Sequence, residues 1–245
     1  MTVRNRGMEF LVYAVLGIVP KEIYDKYQEP YEEKYAAKSY NHYCIFKCAQ
    51  RAYLDLSRTL ERKDKESDNK AFSENVSSMI ANAIYDEGEK PYTKNKEKAF
   101  ELYNYENLGK EVEKHLEEVG CSRSTEPKED KWKKCFHYGH FQKWINMTYK
   151  YMDVIGMLDS DEEENLDIPL DSYIMKAMSA DKGIEFPNNK REKGKYSEAS
   201  SVKWSRLTQA EYEAIVSAYR EENLSIEWEH DAWITMAEKE KKIIK

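Results

Sequence analysis

Tyr138-Gly139-His140-Phe141-Gln142-Lys143-Trp144 opens a segment that continues through Ile145, Thr148 and Met152. At about 100° per residue, Phe141, Trp144, Ile145, Thr148 and Met152 fall in one sector of a helical wheel. The spacing predicts a helix over 141–155, led in by a glycine turn at Gly139. On that wheel Lys143 lies about 200° from Phe141, off the apolar stripe, so it faces either solvent or a cleft.

Downstream, Asp159-Ser160-Asp161-Glu162-Glu163-Glu164-Asn165 is dense in carboxylates. A calcium loop needs glycine at its sixth position and a bidentate glutamate at its twelfth. Glu164 and Leu170 stand there instead, so the stretch is expected to be a solvated acidic loop. Ile168-Pro169-Leu170-Asp171-Ser172-Tyr173 then opens another helix, with Leu170, Ile174, Ala177 and Met178 on its inner side. Asp171 is placed to cap it by accepting backbone N–H bonds.

The same 3.6-residue rhythm runs through the rest of the chain. Ile23, Tyr24, Tyr27, Tyr31 and Tyr35 mark one helix; Ile45, Ala49, Tyr53, Leu56 and Leu60 a second. Phe72, Val76, Met79, Ile80, Ala83 and Ile84 mark a third, with Asp68 or Asn69 as cap. Leu108, Val112, Leu116 and Val119 mark a fourth, closed by Gly120. Thr208-Gln209-Ala210-Glu211 is a capping box ahead of Ile215, Val216 and Tyr219, and a last helix starts near Ser225 with Ile226, Trp233, Ile234 and Ala237. The fold class is all-α: a multi-helix globular protein, arranged as two helical lobes with a cleft between them. The polar segment 121–131 divides an N-terminal lobe, 1–120, from a C-terminal lobe, 132–245, which holds the hairpin-like segment 138–178. The expected core includes Tyr53, Leu56, Val76, Ile80, Trp144, Ile145, Ile174 and Trp233.

Composition agrees. Charged residues make up 35% of 245 positions, with only 9 Gly and 6 Pro, which suits long helices more than strands and turns. A net charge of −7 lowers the expectation of a broad nucleic-acid surface, which normally carries a basic excess. The apolar run Phe10 to Val19 is too short to span a bilayer and lacks a small-residue cleavage site, so it is expected to be a buried first helix or strand. The protein is expected to be cytoplasmic, without a membrane partner. Four cysteines form no disulfide framework, and Cys44, Cys48 and Cys135, even with His42, His137 and His140 nearby, match no metal motif. No metal and no cofactor are expected.

Gly139-His140-Phe141-Gln142-Lys143 and Pro169-Leu170-Asp171 together resemble the active-site half of the helix-hairpin-helix DNA N-glycosylases, in particular the 8-oxoguanine type. Those enzymes carry a G-x-G-x-K hairpin, a helix and a P-x-D step. The resemblance spans residues 139–178. It implies that Lys143 attacks the anomeric carbon and forms a Schiff base, while Asp171 stabilises the developing positive charge and assists proton transfer. It also implies DNA contacts from Gly139, His140 and Gln142, with Lys190 and Arg191 added from the basic loop 182–203. Phe141 stands where the hairpin has its second glycine, and no cysteine quartet for an iron–sulfur cluster is present. The flipped base would need aromatic walls, for which 19 Tyr and 5 Trp supply material. A second class fits the acidic loop 159–165 and the net charge of −7 better: a non-enzymatic helical interaction protein, for example of phage or mobile-element kind, that binds a protein partner or inhibits it by mimicking phosphate charge.

Overall fold

The computed structural model describes residues 6–28, 32–33, 36–60, 70–85, 90–118, 136–186 and 203–243. Among the described residues every regular element is helical and there is no strand, as the periodicity predicts. In chain order the α-helices are α1 (Arg6–Leu16), α2 (Lys21–Lys26), α3 (Tyr40–Leu56), α4 (Lys70–Tyr85), α5 (Lys96–Glu101) and α6 (Glu106–Glu118). They continue with α7 (Tyr138–Val154), α8 (Ser160–Glu163), α9 (Ser172–Lys182), α10 (Gln209–Glu221) and α11 (Ile226–Ile243). No helix among the described residues is long and apolar enough to cross a membrane.

The centre of the molecule is α7. Its apolar stripe lies against α3 and α4: the Trp144 ring sits 5.0 Å from Tyr53 and 5.8 Å from Phe72. The indole N–H of Trp144 donates to the Ala49 carbonyl at 2.8 Å, so the ring is fixed in its slot as well as packed. The opposite side of α7 is covered by α5, α10, the 3-10 turn Trp204–Arg206 and the Leu170-Asp171 step before α9, and residues from Tyr138 to Tyr149 are all buried. A stripe therefore understates this helix. It is wrapped all round, and its polar positions Gln142, Asn146 and Thr148 are bonded internally rather than wetted.

Four local expectations are revised. Gly139 is not in a turn ahead of the helix but inside its first turn, because α7 already begins at Tyr138. The acidic stretch is solvated as expected, except at Glu162, but it forms a short helix and not a loop. Asp159 and Glu162 form a reciprocal capping box around α8, and Glu162 is buried, its Oε1 accepting the Thr93 N–H at 3.1 Å. Trp233, expected in the core, is 41% exposed, and α1 leaves Leu11, Tyr13 and Val15 on the surface while Leu16 is buried. The other seven expected core residues are buried. The caps read at Asp171 and Thr208 are formed, whereas Asp68, Asn69, Gly120 and the segment 121–131 lie outside the described residues.

Candidate active site

Lys143 and Asp171 are 28 positions apart in sequence, yet the Lys143 Nζ donates to Asp171 Oδ2 at 2.7 Å. Their side chains are 7% and 14% exposed, so the ion pair is largely buried and not on open surface. Lys143 escapes the apolar stripe, as the wheel requires, but it meets α9 and not solvent.

Local chemistry explains the meeting. Asp171 is the N-cap of α9, with extended backbone, and its Oδ1 accepts the N–H groups of Tyr173 and Ile174 at 2.9 and 3.0 Å. Its other oxygen is thereby turned away from the helix toward Lys143, and also accepts the Trp233 indole N–H at 3.3 Å. Burial alone would raise the Asp171 carboxyl, but Lys143 and the two backbone donors outweigh it and hold it below the ordinary aspartate range.

Two aromatic rings border the pair, and a third packs against one of them. The Trp204 ring centroid is 5.4 Å from the Lys143 Nζ, within cation–π range. On the α11 side, Trp233 packs edge-on against Tyr173, with ring centroids 5.6 Å apart. Sequence reasoning missed both tryptophans as neighbours of the site. Trp233 follows the α11 rhythm, which points to the core; Trp204 is a single aromatic in a polar stretch, and no periodicity points to it.

The residues expected to hold DNA sit elsewhere in their environment. The Gly139 N–H donates to the Leu207 carbonyl at 2.9 Å, and a Cβ at Gly139 would lie 1.9 Å from the Trp204 carbonyl oxygen. The glycine is required because the Trp204–Arg206 turn is seated directly on the helix. His140 is buried beside Trp204, and its Nδ1 accepts the His137 N–H at 3.2 Å. Burial first, then neighbouring His137, push the imidazole down to about 3, so it is neutral. Gln142 is fully buried, with its amide engaged by the chain itself. Gly139, His140 and Gln142 therefore do not offer a phosphate cradle: the Gly139 N–H and the Gln142 amide are spent inside the fold, and the His140 ring is buried. Lys190 and Arg191 lie outside the described residues.

A second charged cluster, around Asp167, is self-contained. Asp167 accepts from Arg220 at 2.6 Å and from the Tyr219 hydroxyl at 3.0 Å, with Lys96 3.1 Å away. These groups tie α5 and α10 to the strap that leads into α9, residues 164–171, with Arg220 still 59% exposed. Cys44 and Cys48 are buried free thiols, and burial pushes Cys44 up to about 12, which keeps it protonated and unreactive. Among the described residues no three His, Cys, Asp or Glu side chains group as metal ligands.

No family model, no curated protein and no solved structure matches this chain.

Proposed function

We propose that the protein acts on nucleic acid in the manner of the helix-hairpin-helix DNA glycosylases, with Lys143 as nucleophile and Asp171 as the carboxylate that stabilises positive charge on the sugar. The observation carrying this reading is the largely buried 2.7 Å contact between Lys143 and Asp171 beside Trp204 and Trp233, with Tyr173 packed against Trp233. Aromatic faces next to a lysine–carboxylate pair are what excision of a flipped base needs. In the reaction the free amine of Lys143 forms a bond to the anomeric carbon as the glycosidic bond breaks. The base leaves with the bonding electrons and takes up a proton; the C1′–O4′ bond then breaks as the nitrogen lone pair forms the C=N bond, and O4′ takes up a proton that the amine loses. The paired lysine must first part from Asp171 and give up a proton, so the ion pair is the resting state and the incoming sugar separates it. Contacts to the DNA backbone come from groups other than Gly139, His140 and Gln142.

Borohydride reduces an imine to a stable amine, so it should trap the chain covalently on a duplex carrying the susceptible lesion. Lys143→Ala should abolish the trapped species. An absence of trapping across a panel of damaged-base duplexes would overturn the reading. It would leave the alternative that the exposed Leu11, Tyr13 and Val15 of α1, with Leu54 of α3, favour: an acidic helical protein that binds another protein.

A further inference from the structure

Gln142 stands next to Lys143 on α7, is wholly buried, and uses both ends of its side-chain amide on one backbone unit. Its Nε2 donates to the Leu170 carbonyl at 3.0 Å, and its Oε1 accepts the Leu170 N–H at 3.3 Å. This is a two-point clamp of the kind two strands exchange, here made by a side chain on the residue that precedes Asp171. The clamp is itself braced. Gln142 Nε2 also donates to the Gly139 carbonyl at 3.1 Å, and Oε1 also accepts from Asn146 Nδ2 at 3.2 Å. Asn146 in turn donates to the Tyr212 hydroxyl on α10 at 3.0 Å. All four hydrogen-bonding positions of the amide are therefore assigned, which fixes which end is oxygen and which is nitrogen.

We infer that Gln142 is a positioning residue: it pins the Pro169-Leu170-Asp171 step to α7 so that the Asp171 carboxylate is delivered to Lys143. The inference rests on the reading that this pair is the working site, but its geometry stands without any reaction. Two neighbouring residues of one helix hold two neighbouring residues of the strap, Gln142 on Leu170 and Lys143 on Asp171. A single hydrogen bond would let the strap rotate about its contact. Two antiparallel bonds to the N–H and C=O of one residue fix both its height along α7 and its orientation. A glutamine that served only to fill the core would be replaceable by methionine of similar length with little consequence beyond stability.

The test is carboxyl titration by NMR in the intact chain without nucleic acid, comparing wild type with Gln142→Met. Lys143 is the ionisable partner of Asp171, so loss of the clamp should move the Asp171 midpoint upward and abolish the slowly exchanging ammonium signal of Lys143. Tyr151→Phe, which cuts a 2.7 Å bond to Asp55 farther along α7, should leave both signals unchanged at comparable loss of stability. An unchanged Asp171 midpoint in folded Gln142→Met would overturn the inference. If that variant does not fold, hydrogen exchange at the Leu170 amide of the wild-type chain decides. Strong protection supports the clamp, and exchange at the rate of an open loop overturns it. Because these measurements need no substrate, a failed borohydride trap would refute the glycosylase reading and leave them standing.

Discussion

Asp171 receives four donors: the Lys143 ammonium, the Trp233 indole and the N–H groups of Tyr173 and Ile174. Removing Lys143 leaves a nearly buried carboxylate short of its counter-charge but still capped, so Lys143→Met should cost about 3 kcal/mol, at the low end for a broken buried pair. Lys143→Met combined with Asp171→Asn should recover part of that loss, measured as a coupling in a urea-denaturation cycle. Because the folded Asp171 value lies below the unfolded one, its stabilisation is complete above about 3.9 and is lost as pH falls through the folded value. His140 acts earlier on the pH axis. Its folded value of about 3 lies below the unfolded value of about 6.5, so the unfolded chain takes up the proton first. Stability should therefore begin to fall as pH drops below about 6.5. His140→Asn keeps an acceptor for the His137 N–H and should flatten that slope. Buried His42, also lowered, should leave a remainder of the same sign. A wild-type chain equally stable from neutral to mildly acid pH would contradict this.

At the scale of elements, the seating of the Trp204–Arg206 turn on α7 makes a prediction of unusual sign. Glycine inside a helix normally costs about 1 kcal/mol relative to alanine, so Gly→Ala there usually stabilises. At Gly139 the added Cβ would lie 1.9 Å from a backbone oxygen of the turn. Gly139→Ala should instead destabilise by about 2 kcal/mol, in the range of overpacked cores. It should also change the emission of Trp204 as the ring leaves its place over Lys143. The same residue in a DNA-gripping hairpin would show lost nucleic-acid binding at unchanged stability, so the two roles separate cleanly. Most element positions were legible in sequence. Phe141, Trp144, Ile145 and Met152 announce α7, and Thr208 with Glu211 announces the start of α10, because caps and periodicity are local properties of the chain.

Across the whole molecule, α3 and α7 share one buried cluster although they come from opposite sides of the segment 121–131. Leu56 on α3 and Ile145 on α7 are both fully buried within it. Leu56→Ala and Ile145→Ala should each cost about 2–5 kcal/mol, and each should move a single unfolding transition seen by both helix content and tryptophan emission. Two transitions, with each substitution moving only its own, would mean two lobes that fold apart. Contact order gives the reason that pairing of α3 with α7 could not be read in advance. The partners lie far apart in the chain, and each carries an apolar face that any other helix could have covered.

The sequence by itself determined that this is an all-helical protein, where its main helices run, and that Asp171 and Thr208 cap two of them. Those features depend on side chains within a few residues of one another. Lys143 and Asp171 were found as a pair in sequence only because two short motifs resemble an active site; nothing local required them to touch. The tertiary structure alone decided that they do, that Trp204 and Trp233 flank them, that Gln142 faces inward to grip Leu170, and that Trp233 stays half in solvent. Each of these depends on which face of one helix is covered by another, and a helix surrounded on all sides, like α7, gives polar residues a buried role that its wheel cannot announce.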